Sequence, residues 1–437
     1  MPSMDIADWQ KGLKARREKF QITQADFAFV AAISETYYCE LETGRRKASA
    51  LMRDKIEHAF DILSPNPLYM LIDYVKIRFK TTNAKYVIEN ILQIKIRHMA
   101  HEDKRFNHYD GRYYYGNIEV FHSADETYGT ILELKGQGCR QIESIFNEQK
   151  RGWYGFFWDC LEFEPGCVFK RIDLAINDRV GLLNIPYLIS KCESGECITL
   201  FNKHSQYSSG EFIKGVDEQY SESMGKTLYL GSTRSNVYFC IYEKDYEQLS
   251  KNGIALEDTE VKNRFELRLK NNHALNAVKD LCTYADAERI SFSYINYYMR
   301  IADRNPDVGR EYWKNSREWE LFIGDYREKM KLATRPKPFK WERTLNWLSS
   351  QVAATLKTAL MVDETNGTNI IQEMLDGQQI PERLRSTYKQ LTTDTKQIIT
   401  TDERLTIRSQ PQMCGKVKIM QTIQKRYGKA DVRRTPN

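Results

Sequence analysis

Apolar and polar residues alternate in three short runs that lie far apart in the chain. They are Arg171-Ile172-Asp173-Leu174-Ala175-Ile176-Asn177, Tyr238-Phe239-Cys240-Ile241-Tyr242-Glu243-Lys244 and Arg264-Phe265-Glu266-Leu267-Arg268-Leu269-Lys270. A period of two marks a strand, whose successive side chains point to opposite faces. Asp173 then shares a face with Asn177, Tyr242 with Lys244, and Glu266 with Arg264 and Arg268. Laid side by side in one sheet, these strands put two carboxylates, a tyrosine, a lysine and arginines on one surface. Carboxylates can hold a divalent metal, and a tyrosine hydroxyl can act as a covalent nucleophile, a set suited to phosphodiester chemistry. An antiparallel sheet with one solvated face gives the same alternation.

The remaining pattern predicts a multidomain chain. Residues 1–65 read as all-α. An amphipathic helix over Leu13–Phe20 precedes the capping box Thr23-Gln24-Ala25-Asp26, which opens a short helix to Val30. Ser34 caps a helix over Glu35–Thr43 that Gly44 ends, and another runs from Leu51 to Ile62 before Ser64-Pro65-Asn66-Pro67 breaks it. Residues 70–332 mix strands with occasional helices, the pattern of an α+β domain with a mainly antiparallel sheet. Strands are expected at Ile72–Phe79, Tyr113–Phe121, Thr130–Lys135, Val168–Ile176, Leu228–Gly231, Val237–Lys244 and Arg264–Lys270, with a helical period over Asn83–Ile94. Further helices are expected at Cys139–Asn147, Asn184–Lys191 and Leu275–Cys282, and a helical pattern from Ala285 to Leu332. After the break Arg335-Pro336-Lys337-Pro338, residues 333–437 read as a helical extension that turns polar and basic: residues 404–437 hold nine Lys or Arg against one acid, Asp431. That tail reads as a solvated segment or a nucleic-acid contact.

Composition narrows the function classes. The 437 residues are 41% hydrophobic, enough for a real core, and the net charge of +6 permits a polyanionic partner without demanding one. Nine cysteines without a C-x-x-C pair read as reduced thiols of a cytoplasmic protein. No run of about 18 apolar residues appears, so no membrane partner is expected.

The N-terminal pattern resembles the helix-turn-helix of the Xre and Cro repressor family, through Leu13, Arg17, Gln21-Ile22-Thr23-Gln24, Phe27-Ala28, Ile33-Ser34, Tyr38, Leu41-Glu42, Gly44 and Arg45. In that reading Ser34, Glu35, Thr36 and Tyr37 open the helix that enters a major groove. Gln24 sits at a helix N-terminus that could meet a phosphate, and Arg45, Arg46 and Lys47 hold the backbone. A helical module that binds a protein partner is the alternative, since residues 1–63 carry ten basic and ten acidic side chains.

Residues 70–330 resemble the Rep_trans family, which comprises rolling-circle plasmid replication initiators and the related MobT relaxases of integrative and conjugative elements. The anchors are Leu71-Ile72-Asp73-Tyr74, Gly136-Gln137-Gly138-Cys139-Arg140, Arg171-Ile172-Asp173-Leu174-Ala175, Tyr229-Leu230-Gly231-Ser232, Ile241-Tyr242-Glu243-Lys244 and Arg264-Phe265-Glu266-Leu267. A helix-turn-helix ahead of such a domain is similar to the MobT relaxases. The resemblance implies a relaxase that nicks its own origin of transfer, with Tyr242 as nucleophile, Asp173 and Glu266 as ligands of Mg²⁺ or Mn²⁺, and a covalent 5′-phosphotyrosine. Lys244 and Arg268 on the same face are candidates for tuning the tyrosine and clamping the phosphate. Family members often carry an acid at the position of Asn177, which ligates through its carbonyl more weakly; a bulge could instead turn Asp178 inward. Implied partners are duplex and single-stranded origin DNA, a separate helicase and a coupling protein. A plasmid replication initiator shares the chemistry, and a non-catalytic helix-turn-helix regulator is the reading from another class. No His-hydrophobic-His pair of the better-known relaxases occurs, and Gly136-Gln137-Gly138 lacks the Gly-Lys-Ser/Thr of a nucleotide loop.

Overall fold

The computed structural model describes residues 6–214, 219–324, 327 and 329–400; the basic tail at 404–437 lies outside them. A helical N-terminus leads into an antiparallel-sheet domain, and helices follow it. The chain divides into two compact units, residues 1–73 with 171–333 and residues 74–170 with 334–437.

The first unit opens with helices α1 (Ile6–Lys11), α2 (Leu13–Lys19), α3 (Gln24–Ala31), α4 (Glu35–Glu42) and α5 (Ala50–Leu63). The sequence caps are used as expected. Thr23 Oγ1 accepts from the Asp26 amide, Ser34 Oγ from the Tyr37 amide and Ser49 Oγ from the Met52 amide. Between α3 and α4 the chain turns on Ala32 in the left-handed region (φ 55°). Phe27 packs on Tyr38 and Phe60, with ring centroids 4.5 and 4.6 Å apart, and closes the small core. Arg17 is bonded to both carboxylate oxygens of Glu42 at 2.9–3.0 Å. Arg317 Nη1 donates to the carbonyls of Phe29 and Val30 at 3.2 and 3.1 Å, tying α3 to a later helix of the same unit.

Strand β1 (Leu68–Phe79) begins in this unit and continues into the second. In the second unit follow β2 (Ala100–Glu102), β3 (Gly111–Tyr115), β4 (Ile118–His122) and β5 (Thr130–Lys135), then α6 (Gly136–Glu148) and α7 (Trp153–Leu161). Their strand order is β2-β3-β4-β5-β1, antiparallel where register is defined. The expected single strand Tyr113–Phe121 is two strands, because Gly116 (φ 55°) and Asn117 make a two-residue hairpin turn. Gly136-Gln137-Gly138 is a strand-to-helix junction. A Cβ at Gly138 would run into the Asn117 carbonyl, so the close approach requires glycine.

The first unit resumes in β6 (Cys167–Asp178), then α8 (Ile185–Glu193), β7 (Cys197–Thr199), the hairpin β8 (His204–Lys214) and β9 (Gln219–Leu230), β10 (Val237–Glu243), α9 (Lys244–Asn252) and β11 (Asn263–Lys270). The order β6-β11-β10-β9-β8 is antiparallel throughout. Helices α10 (Asn272–Tyr284), α11 (Ala287–Tyr298) and α12 (Arg317–Ile323) follow, with β12 (Met299–Ile301) between the last two. The helical pattern expected from Ala285 to Leu332 is therefore interrupted after Tyr298, where Met299–Ile301 pairs with β7, and returns in α12. Apolar residues cover one sheet face. Ile172, Leu174, Ile176, Phe265, Leu267, Leu269, Phe239 and Ile241 are all inaccessible, and Phe265 stacks on Phe322 of α12 at 5.9 Å. Burying each of these side chains is worth about 1.5–3 kcal/mol, which makes this layer the core of the unit.

Candidate active site

The other face of that sheet is polar, and its centre on β6 and β11 is buried, unlike the fully solvated face of the alternative. Asp173, Glu266, Arg264 and Asn177 are 3%, 4%, 8% and 0% exposed. Strand register sets the arrangement. Asp173 faces Arg268, Arg264 faces both Asn177 and Tyr242, and Glu266 faces Cys240. Charges cannot be buried singly without large cost, so they come as a network.

Glu266 is its centre. Its Oε1 accepts from the Tyr242 hydroxyl at 2.9 Å, and its Oε2 from Arg268 Nη2 and Nε at 2.7 and 3.0 Å. Asp173 is held by both Nε and Nη2 of Arg171 at 2.7 and 2.6 Å, and Arg268 Nε stands 3.8 Å from its Oδ2. Arg264 donates to Asn177 Oδ1 at 2.7 Å and to Asp73 at 3.2 Å. Burial raises the Asp173 carboxyl to about 6, against the downward pull of Arg171 and Arg268. It also lifts the Tyr242 phenol well above its ordinary value, an effect that Arg264 opposes. The phenol therefore stays protonated at neutral pH.

Lys244 departs from expectation in its element and not in its place. The strand ends at Glu243, and Lys244 starts α9. Its Nζ still comes within 3.4 Å of the Tyr242 hydroxyl and pairs with Glu247. Burial is the main cause of its lowered pKa, followed by the charge of Arg264. Tyr246, four residues after Tyr242, lies in α9 against Gly225 of β9.

Asn177 and Asp178 close strand β6 beside Arg264 and Asn263. Arg264 requires an acceptor, which fixes the Asn177 amide with its carbonyl committed and its Nδ2 without a partner. The Asn177 carbonyl oxygen, the atom the expected ligand set would use, thus already accepts from Arg264. No bulge turns Asp178 inward: the β6–β11 pairing runs regularly to Asn263–Asp178. Asp178 caps the following loop, accepting from the amides of Val180, Gly181 and Leu183 at 2.8–3.0 Å. Sequence reasoning missed Asp73 and Arg171 as members of the site. Both stand in the family-like motifs, but only the fold brings Asp73 to Arg264.

Among the described residues no three His, Cys, Asp or Glu side chains group as metal ligands. The chemistry of the donors still fits a hard cation. Mg²⁺ commonly takes one or two carboxylates and completes its shell with water and substrate phosphate. Asp173 and Glu266 supply two carboxylates joined through Arg268, and an incoming phosphate would compete for the same arginine.

Of the predicted DNA contacts, Ser34 is spent in its cap while Glu35, Thr36, Arg45 and Lys47 are exposed. Arg46 pairs with Glu40 at 2.6 Å and lies over the Tyr37 ring at 4.6 Å. Gln24 is half-buried at the start of α3, with its side chain beside Glu42.

An antiparallel sheet that follows a helical N-terminus and precedes further helices is consistent with a Rep-like fold. Two family descriptions match the chain: "Rolling Circle replication initiation protein N-terminal domain" over residues 69–159 and "Replication initiation factor" over residues 167–375. The "Putative DNA relaxase NicK" of Bacillus subtilis (strain 168) is 38% identical over 311 residues, 71% of this chain and 86% of that protein. The chain belongs to this replication initiation factor (Rep_trans) family. Its fold is similar to the solved structure of a rolling circle replication initiator protein from Geobacillus stearothermophilus, with a TM-score of 0.52 and 24% identity over 61% of this chain and 99% of that one. No helix among the described residues is long and apolar enough to cross a membrane.

Proposed function

We propose that this chain nicks one DNA strand at a specific origin and retains the cut strand as a 5′-phosphotyrosine on Tyr242. The observation that carries the reading is the Tyr242 hydroxyl donating to Glu266 at 2.9 Å, with Arg264, Arg268 and Lys244 around it. Glu266 takes the phenolic proton. The tyrosine oxygen forms a bond to phosphorus, and the bond from phosphorus to the 3′ oxygen breaks. That oxygen leaves with the electron pair and is protonated to a free 3′-hydroxyl. Arg268 and Arg264 offset charge on the phosphate, and Lys244 stands by the attacking oxygen. Asp173 and Glu266 would hold Mg²⁺ or Mn²⁺, which when bound polarises a non-bridging phosphate oxygen. The covalent intermediate conserves bond energy, so the strand can be rejoined without ATP.

In this proposal residues 1–65 form a helix-turn-helix domain that reads duplex DNA. Glu35, Thr36 and Tyr37 lie toward the groove, Gln24 and Ser34 at helix starts beside phosphates, and Arg45, Arg46 and Lys47 along the backbone. Joined to residues 70–332 as the relaxase domain, it favours the MobT type and an origin of transfer. Such transfer needs a separate helicase and coupling protein. Residues 333–437 are then an accessory extension. The family description favours the alternative destination, rolling-circle replication, with unchanged chemistry.

The test is incubation with Mn²⁺ and an end-labelled origin oligonucleotide, then a denaturing gel. Wild type should give a covalent band that Tyr242→Phe lacks. An adduct that survives in Tyr242→Phe would refute the assignment. No adduct from wild type on either origin class would leave a DNA-binding regulator.

A further inference from the structure

We infer that the hairpin β8–β9 carries a base-stacking platform, Tyr207 and Tyr229, that holds single-stranded DNA next to Tyr242. The inference rests on the reading of Tyr242 as the nucleophile. Register extends the catalytic face onto the hairpin: Tyr242 pairs with Thr227 and Cys240 with Tyr229, while Tyr207 pairs with Thr227 and Ser205 with Tyr229. Cross-strand partners share a face, so Tyr207 and Tyr229 lie on the same side as Tyr242. Two strand spacings put Tyr207 about 10 Å from the tyrosine strand.

The rings are arranged for contact outward. Tyr207 and Tyr229 meet edge to face at 5.6 Å and 90°, and Tyr207 remains 64% exposed on the outermost strand of this sheet. Tyr238 of β10 lies on the same face but is buried, with Arg268 and Lys270 over its ring at 5.3 and 5.2 Å. An exposed ring pair on a face where Arg268 acts on Tyr229 matches a single strand, whose bases stack and whose phosphates need positive charge. The hairpin is anchored at both strands: Gln206 donates to Glu193 of α8 at 2.7 Å, and the Lys226 amide to Glu243 at 2.7 Å. A duplex would hide its bases from these rings, so the occupant is the unpaired strand.

The full-length protein is titrated into a fluorescent oligothymidylate and anisotropy is read. Tyr207→Ala should weaken binding about ten- to a hundredfold, and Tyr207→Phe, which keeps the ring, should stay within about twofold of wild type. Tyr207→Ala binding as tightly as wild type would overturn the platform. So would a Tyr207→Ala variant that changes only sedimentation, since the β8 edge would then join two copies of the chain. Adduct assays on wild type and Tyr242→Phe run in parallel. Affinity lost in Tyr207→Ala with an adduct still forming on Tyr242→Phe would sink the nucleophile and leave the platform standing.

Discussion

The Tyr242 hydroxyl donates to Glu266 Oε1 at 2.9 Å across adjacent strands, although 24 residues separate the two in the chain. The bond pairs a phenol that burial keeps protonated with the carboxylate able to take its proton. The other oxygen of Glu266 is held by Arg268. Replacing Tyr242 by Phe removes the proposed nucleophile and leaves Glu266 with a charged partner. Adduct formation should vanish, while stability in urea should change by no more than one hydrogen bond to a charged group is worth, about 1.5–3 kcal/mol.

Acid should suppress nicking. The Asp173 carboxyl is raised to about 6 from an ordinary 3.8, so the folded protein holds a proton that the unfolded chain has already lost between those values. Its contribution to stability therefore falls as pH rises through that window and stays lost above it. Asp173 would hold a cation in its ionised form, so nicking at limiting Mn²⁺ should increase as pH rises through about 6. Asp173→Asn should abolish that dependence together with most of the activity, read as initial rate against pH.

Metal removal should stop the reaction. Chelation with EDTA should abolish adduct formation, and excess Mg²⁺ or Mn²⁺ should restore it, because the available ligands are hard oxygens. Undiminished nicking in EDTA would exclude Asp173 and Glu266 as a metal site.

Arg264 should be the most costly residue of the network to lose. It is 8% exposed, bonded to Asn177 and Asp73, and 3.9 Å from Glu266. Arg264→Met strips three groups of one partner and should destabilise by about 3–5 kcal/mol. Restoring charge with Lys should recover only part of that, since an ammonium lacks the planar fork that reaches two acceptors at once. Chemical denaturation of both variants measures the difference.

Charge reversal on the N-terminal domain should be read in salt. Arg45→Glu and Lys47→Glu lie on exposed positions after α4, and each should weaken duplex origin binding. The slope of log affinity against log salt should fall by about 0.9 for each phosphate that is no longer neutralised. An unchanged slope would move duplex recognition elsewhere.

Alternation alone places Asp173, Tyr242, Glu266, Arg264 and Arg268 on one face, and the structure keeps all five there. That face is legible because a strand's period of two needs only neighbouring residues. Helix caps at Thr23 and Ser34 are legible for the same reason: an N-cap bond spans three residues. The hairpin is not. Much of β8 and β9, such as Ser208-Ser209-Gly210 and Gly225-Lys226-Thr227, has no apolar face to alternate, and only pairing between the two segments makes them strands. The period of two also continues through Lys244, yet the chain turns into α9 there.

Which residue types stand on the polar face follows from the order of residues alone, because side-chain direction along a strand is a local property. That the centre of this face is buried, that Arg264 takes Asn177 for itself, and that Asp73 and Arg171 complete the network all emerge only in three dimensions. Those outcomes depend on which strands lie side by side and in what register. Pairing across tens of residues is settled by burial of the opposite apolar face, with Phe265 against Phe322, and not by any local period.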